Sequence, residues 1–187
     1  MSRYTEKLIL QTFGQMIDEM PFDKITVSAL TRRCDISHNT FYYHYHDIYE
    51  LLGVWIRQEL SPYLEAERNY PDWESAIRAM LKAWQADERR IYHVFQSLSR
   101  EQMERYVYEQ ADNFFFEQVR ALPSSEHVTE PQLRRIAEFA CYIFLGYLMR
   151  FLWSRMKADV DVSVHELSTL LSSFLRHALA DARDGKL

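Results

Sequence analysis

The chain has little glycine, proline or cysteine: four Gly, five Pro and two Cys in 187 residues. Each scarcity excludes something. Four glycines cannot build a Gly-rich phosphate loop, so no nucleotide cradle is on offer. Few Gly and Pro, with no alternating strand pattern, argue for helices almost throughout. The cysteines, Cys34 and Cys141, lie far apart among apolar neighbours. They make no disulfide framework and point to a reducing, cytoplasmic setting. No apolar run reaches the roughly 18–20 residues of a membrane span, and the first residues lack a signal peptide's apolar stretch. An excess of positive charge is missing too: the net charge is -5. Any nucleic-acid site must therefore be a local patch. There is no nucleophile elbow, no zinc-binding helix and no convincing pair of carboxylates, which argues against an enzyme and against a bound cofactor.

What is present is apolar periodicity. Leu8, Ile9, Phe13, Met16, Ile17 and Met20 recur at three- and four-residue spacings and predict a first helix over residues 3–20, stopped by Pro21. A short second helix starts at Thr26 or Val27, with Leu30 facing inward. Asp35 stands where the chain must turn sharply, and Asp tolerates a left-handed conformation. Ser37 is a good N-cap for a third helix over residues 38–45. Asp47, with Glu50 three residues on, predicts a capped fourth helix from Ile48, with Pro62 as a kink or boundary. The stretch "NYPDWESA" marks a break, after which Asp72 caps a helix from Trp73. Helices over 88–98 and 101–122 follow, then the loop "LPSSEHVTEP". Two long apolar helices close the chain, over 132–157 and 164–182. The reading is all-α, about nine helices. A helix-turn-helix head covers residues 1–46, and a ligand-binding and dimerisation body covers 47–187.

Two short helices joined by a tight turn form a helix-turn-helix, whose second helix enters the DNA major groove. The stretch "SHNTFYYHYHDIYELL" fits that use. Ile36, Phe41 and Tyr45 are spaced to pack inward, which leaves His38, Asn39, Tyr42 and Tyr43 outside. Asn39 can read adenine with two hydrogen bonds, and Thr40 can meet a thymine methyl or a base edge. Tyr hydroxyls and the helix N-terminus suit phosphate oxygens. Arg32 and Arg33 stand just before the turn, a place that favours DNA over an idle solvated face. Residues 1–60 carry six Lys or Arg against eight acids, a balance of -2, but residues 24–46 hold three basic residues, one acid and three histidines. The contact face is mildly positive, and binding to arbitrary DNA should be weak. His38, His44 and His46 lack the partners that would complete a metal ligand set, so no metal is expected.

The segment "ITVSALTRRCDISHNTFYYHYHDIYELL" resembles the DNA-binding signature of the TetR family of transcriptional regulators, and "LILQTFGQMIDEMPF" resembles that family's first helix. The resemblance spans about the first 52 residues without a gap. It implies an all-helical homodimer with heads in successive major grooves of a palindromic duplex operator, and a body whose small ligand loosens DNA. Carried over by position, it implies that Ser28 contacts a phosphate and Ser37 caps the recognition helix. His38, Asn39 and Thr40 face base edges. Tyr42 meets phosphate or a base, Tyr43 lies along the strand, and His44 reaches the backbone. Phe41 and Tyr45 match buried aromatics. Two positions depart from the pattern: Asp35 stands where the family usually has Gly, and Ile48 where it often has a phosphate-binding Lys. Both lower the DNA affinity that the resemblance implies, so a ligand-sensing co-regulator whose head does not bind DNA by itself is the alternative. "FYYHYHDIYELL" and "FLGYLMRFLWSRM" are also similar to a subgroup related to dihydroxyacetone-kinase operon regulators.

In the body, the last two helices carry apolar stripes wider than one partner requires. With the resemblance, Phe144, Leu148, Phe151, Leu152, Leu167, Leu171, Phe174 and Leu175 are expected in a dimer interface. Many aromatics lie between. Trp55, Trp84, Phe95, Tyr106, Phe114, Phe139 and Tyr142, with Gln110 to fix orientation, are expected to line a pocket for a small apolar or aromatic effector. Any single one of these is more often plain core. Phe114, Phe115 and Phe116 are consecutive, so at least one ring packs elsewhere.

Overall fold

A computed structural model describes residues 2–65 and 72–187. Nine α-helices are present among them: α1 (Ser2–Glu19), α2 (Val27–Cys34), α3 (His38–His44), α4 (Ile48–Leu64), α5 (Trp73–Ala86), α6 (Glu88–Phe95), α7 (Arg100–Arg120), α8 (Glu130–Trp153) and α9 (Val160–Arg183). No strand occurs among the described residues. The protein is all-α. The break expected at Asn69–Pro71 lies outside the described residues; the Asp72 cap beside it is present, its carboxylate accepting from Ser75 N at 2.7 Å.

The chain divides into two compact units, residues 1–59 with 86–103, and residues 60–85 with 104–187. In the head unit, the inward stripe of α1 holds Ile9, Phe13, Met16 and Ile17 under cover. The Phe13 ring meets Phe22 at 6.2 Å and Trp55 at 6.0 Å, both edge-on. Gly14 is what lets α4 come so close. A Cβ there would sit 3.0 Å from Trp55 Nε1, close enough that the indole would have to shift by a few tenths of an ångström. The helix α6 belongs to this unit and grips the end of α1. Arg89 donates to the Asp18 carbonyl, Arg90 pairs with the Asp18 and Glu59 carboxylates, and His93 Nδ1 meets the Ile17 carbonyl. The Arg90 guanidinium also lies 5.1 Å from the Trp55 ring centre.

In the body unit, α8 and α9 pack on each other. Their connecting turn carries two left-handed residues, Arg155 (φ 55) and Met156 (φ 52). Gln85 of α5 holds that turn, donating to the carbonyls of Met156 at 2.6 Å and Ala158 at 3.1 Å. Arg78 and Lys82 pair with Asp161 at 2.9 Å each. The helix α8 is by length and average composition apolar enough to cross a membrane. The sequence reading found no such run. The apolar residues of α8 pack largely inside the unit, and eleven of its 24 residues are buried, as suits the core helix of a helical body. The expected ends of α8 and α9 shift by one to four residues: Pro131 begins a helix as readily as it ends one, and Asp159 caps α9 by accepting from Asp161 N and Val162 N.

Candidate nucleic-acid interface

The turn between α2 and α3 is built as the residues suggest. Asp35 adopts φ 55 and ψ 45, the left-handed conformation that Gly favours and Asp tolerates. The Ile36 N–H reaches back to the Thr31 carbonyl at 3.0 Å, a bond across six residues that closes the helix C-terminus. Ser37 then starts α3, its Oγ accepting from Thr40 N at 3.0 Å. Thr26 does the same for α2, accepting from Ala29 N at 3.1 Å. Asp47 caps α4 through Tyr49 N and Glu50 N, both 2.8 Å. The Glu50 carboxylate closes a variant of the box, accepting from His46 N one residue before the cap.

The amphipathic split of α3 follows. Phe41 is wholly buried and Tyr45 nearly so. Tyr45 gains no hydrogen bond for its hydroxyl, and burial, then the nearby Glu6 and Glu50 carboxylates, push its ionisation up to about 12. On the other side Asn39 is exposed, Tyr42 is 56% exposed and Tyr43 78%. His38 is exposed and bonded to Ser28 Oγ through Nε2 at 3.0 Å. Thr40 is half-buried, its hydroxyl 2.8 Å from Ser37 Oγ. His44 is half-buried between the rings of Tyr43 and Tyr45. Arg33 is the exception among the residues expected to meet DNA. Its guanidinium is held by both oxygens of Glu19 at 2.5 Å, a bidentate pair of the strong kind. That bond holds the Glu19 carboxyl below the usual carboxylate range and ties the end of α2 to the end of α1.

The body unit holds a small apolar cavity. Its space for a guest is about 20 Å³, roughly room for one water. Trp84, Gln110 and Phe114 line it, with Tyr63, Met80 and Phe115 among the others. The remaining expected pocket residues lie elsewhere. Trp55 is core of the head unit beneath Arg90, and Phe95 of α6 packs on Tyr92 in the same unit. Tyr106 is buried off the cavity with Arg105 near its ring. Phe139 and Tyr142 stand on the exposed side of α8, Tyr142 stacked on Tyr108 at 5.5 Å. Aromatic identity does not tell one face of a helix from the other. Phe116 turns away from the cavity, under the Arg134 guanidinium at 4.0 Å. Sequence reading missed Ile77, Met80 and Ala111 because they look like ordinary core.

The expected dimer residues divide as well. Phe144, Leu148, Phe151, Leu152, Leu167 and Leu171 are buried inside the chain's own fold, and only Phe174 and Leu175 are half-exposed. The exposed apolar residues are Phe139, Tyr142 and Trp153 on α8 with Val162 and Leu170 on α9. An ion pair from Arg150 to Glu166 at 4.0 Å spans the two helices along this face. Gly146 lies on the same stripe, and a Cβ there would meet nothing.

A family model described as "Transcriptional regulator C-terminal region", of the TetR family, matches residues 71–173. The chain belongs to the TetR family of transcriptional regulators. No curated protein matches the sequence. Among solved structures, the chain is similar to a transcriptional regulator of the TerR/AcrR family from Aquifex aeolicus VF5 (TM-score 0.52, 19% identity, 90% of this chain and 98% of that one). It is also similar to the dihydroxyacetone kinase operon activator DhaS (TM-score 0.51, 18% identity, 96% of each chain). The TetR family is one of DNA-binding transcriptional regulators.

Proposed function

We propose that this TetR-family chain is a cytoplasmic, ligand-responsive repressor that binds a palindromic operator as a homodimer. The observation that carries it is the capped recognition helix α3, which leaves Asn39, Tyr42 and Tyr43 exposed. Asn39 supplies the base contact, while Tyr42 and Tyr43 supply backbone contacts.

The homodimer reading rests on the uncovered stripe of α8 and α9. Phe139, Tyr142, Gly146, Arg150 and Trp153 fall at three- and four-residue spacings, as do Val162, Glu166 and Leu170. A mid-helix glycine facing open space weakens its helix by roughly 0.5–1 kcal/mol. Its use is close approach of another helix. A second copy of the same face supplies that helix, with twofold symmetry matching two half-sites.

The effector reading rests on the cavity. Among the described residues, no charged side chain lines it. A guest must push α5 or α7 aside, and Met80 is the adaptable side chain there. A small apolar or aromatic molecule fits. A polyhydroxylated one would strand hydroxyls against Leu and Phe, each unmade bond costing about 1–3 kcal/mol. Ligand acts by favouring a body conformation whose heads no longer match the operator spacing.

The test is fluorescence anisotropy on duplex DNA from upstream of the coding sequence. Asn39→Ala should weaken specific binding by ~1–3 kcal/mol, the value of one bidentate base contact. Unchanged binding by Asn39→Ala and Tyr42→Ala sinks the assigned reading face. A second reading, a co-regulator with a degenerate head, is favoured by the locked Arg33–Glu19 pair and by Asp35; no binding by the wild-type chain would select it.

A further inference from the structure

Ser28 and His38 are both read above as DNA contacts, Ser28 as a phosphate ligand. In the head unit the Ser28 hydroxyl is already engaged: its Oγ lies 3.0 Å from His38 Nε2. We infer that Ser28 is a positioning residue that fixes which nitrogen His38 shows to a base edge, and that it holds no phosphate itself. The inference rests on the DNA-binding reading of α3.

Both ends of this bond stand on stopped, capped helices. Ser28 is the second residue of α2, and His38 is the first of α3, directly after its Ser37 cap. The bond joins residues ten apart in sequence across the turn. An exposed imidazole left alone samples several rotamers and offers either nitrogen, and ordering it on DNA costs side-chain entropy. The Ser28 bond removes that freedom beforehand. It occupies Nε2 and holds the ring plane, so Nδ1 alone is left for DNA. When the serine hydroxyl donates to Nε2, the neutral imidazole carries its proton on Nδ1 and becomes a donor. Its matches in the major groove are acceptor edges: a purine N7, guanine O6 or thymine O4. A serine that instead held a phosphate would bind all sequences alike and add to the salt dependence.

That contrast sets the experiment. The full-length protein is used to select from a pool of duplex DNA with a randomised core, and the recovered sequences are read out for wild type, Ser28→Ala, Ser28→Thr, His38→Ala and the double Ser28→Ala/His38→Ala variant. His38→Ala should lower the preference at one base pair per half-site by roughly tenfold. Ser28→Ala should lower it at that same base pair and at no other, the double variant should do no worse than His38→Ala alone, and Ser28→Thr, which keeps the hydroxyl, should retain it. The salt slope should not change. Ser28→Ala with an intact base preference overturns the inference. So does a uniform loss over all sequences with a slope smaller by about 0.9, the mark of one lost phosphate contact. If the wild-type protein recovers no sequence above background, the DNA-binding reading falls and this inference falls with it; if it does recover a motif, only the Ser28 variants decide.

Discussion

Leu170 and Leu171 are adjacent leucines with opposite roles, and exchanging each of them tests the proposed dimer face. Leu170 is 67% exposed in the single subunit and Leu171 is 1% exposed. Fully burying a Leu side chain stabilises by about 1.5–3 kcal/mol. Two-thirds of that, gained on dimerisation, is about 1–2 kcal/mol per copy. A twofold dimer buries it twice, for about 2–4 kcal/mol. Leu170→Glu removes this and also asks two carboxylates to leave water, each costing at least about 1 kcal/mol. The sum is on the order of 4 kcal/mol or more, near a thousandfold in dissociation constant. Because Leu170 is mostly exposed in the subunit, its fold should survive. Leu171→Ala should do the reverse: a buried Leu→Ala costs about 2–5 kcal/mol of subunit stability, with no specific loss of pairing. Sedimentation across a concentration series reads the dimer, and urea unfolding of the monomeric variant reads the subunit. A Leu170→Glu protein that pairs as tightly as wild type refutes the face. A Leu171→Ala protein that stays folded yet dissociates refutes it equally.

Three other outcomes follow from the head unit. Tyr45→Phe should be neutral or stabilising by up to about 1 kcal/mol, since the buried hydroxyl has no partner to lose. The sign with pH is set by the raised folded-state ionisation of about 12: this stability is complete below the ordinary tyrosine range and is lost as pH rises through about 12, so Tyr45→Phe should flatten the alkaline arm of the stability curve. Glu19→Gln should release Arg33 from its bidentate bond. DNA binding should then strengthen at low salt, with a slope steeper by at most about 0.9; an unchanged slope would mean that Arg33 cannot reach a phosphate. Ser37→Ala, which removes the cap on α3, should cost about 1 kcal/mol in thermal unfolding.

The head was legible from sequence because its logic is local. The Ser37 and Asp47 caps, the left-handed Asp35 and the inward Phe41 each depend on residues a few positions away, and spacing at 3.6 per turn assigns sides within one helix. Nothing local could show that Glu19 reaches fourteen residues ahead to occupy Arg33, or that Ser28 and His38 touch across the turn. The body was legible only as helices. Its last two are apolar on more than one side, so periodicity gives no rule for which side faces the cavity, which faces the neighbouring helix and which is left bare.

The sequence by itself therefore determined the helical class, the capped turn and the polar flank of α3, through short-range hydrogen bonding and backbone sterics. Tertiary packing alone decided that Trp55 is head core beneath Arg90, that Leu171 is interior while Leu170 is open, and that Phe139 and Tyr142 stand outside the cavity. Burial depends on which distant residues arrive to cover a side chain, and a hydrophobic residue's own identity does not name its cover.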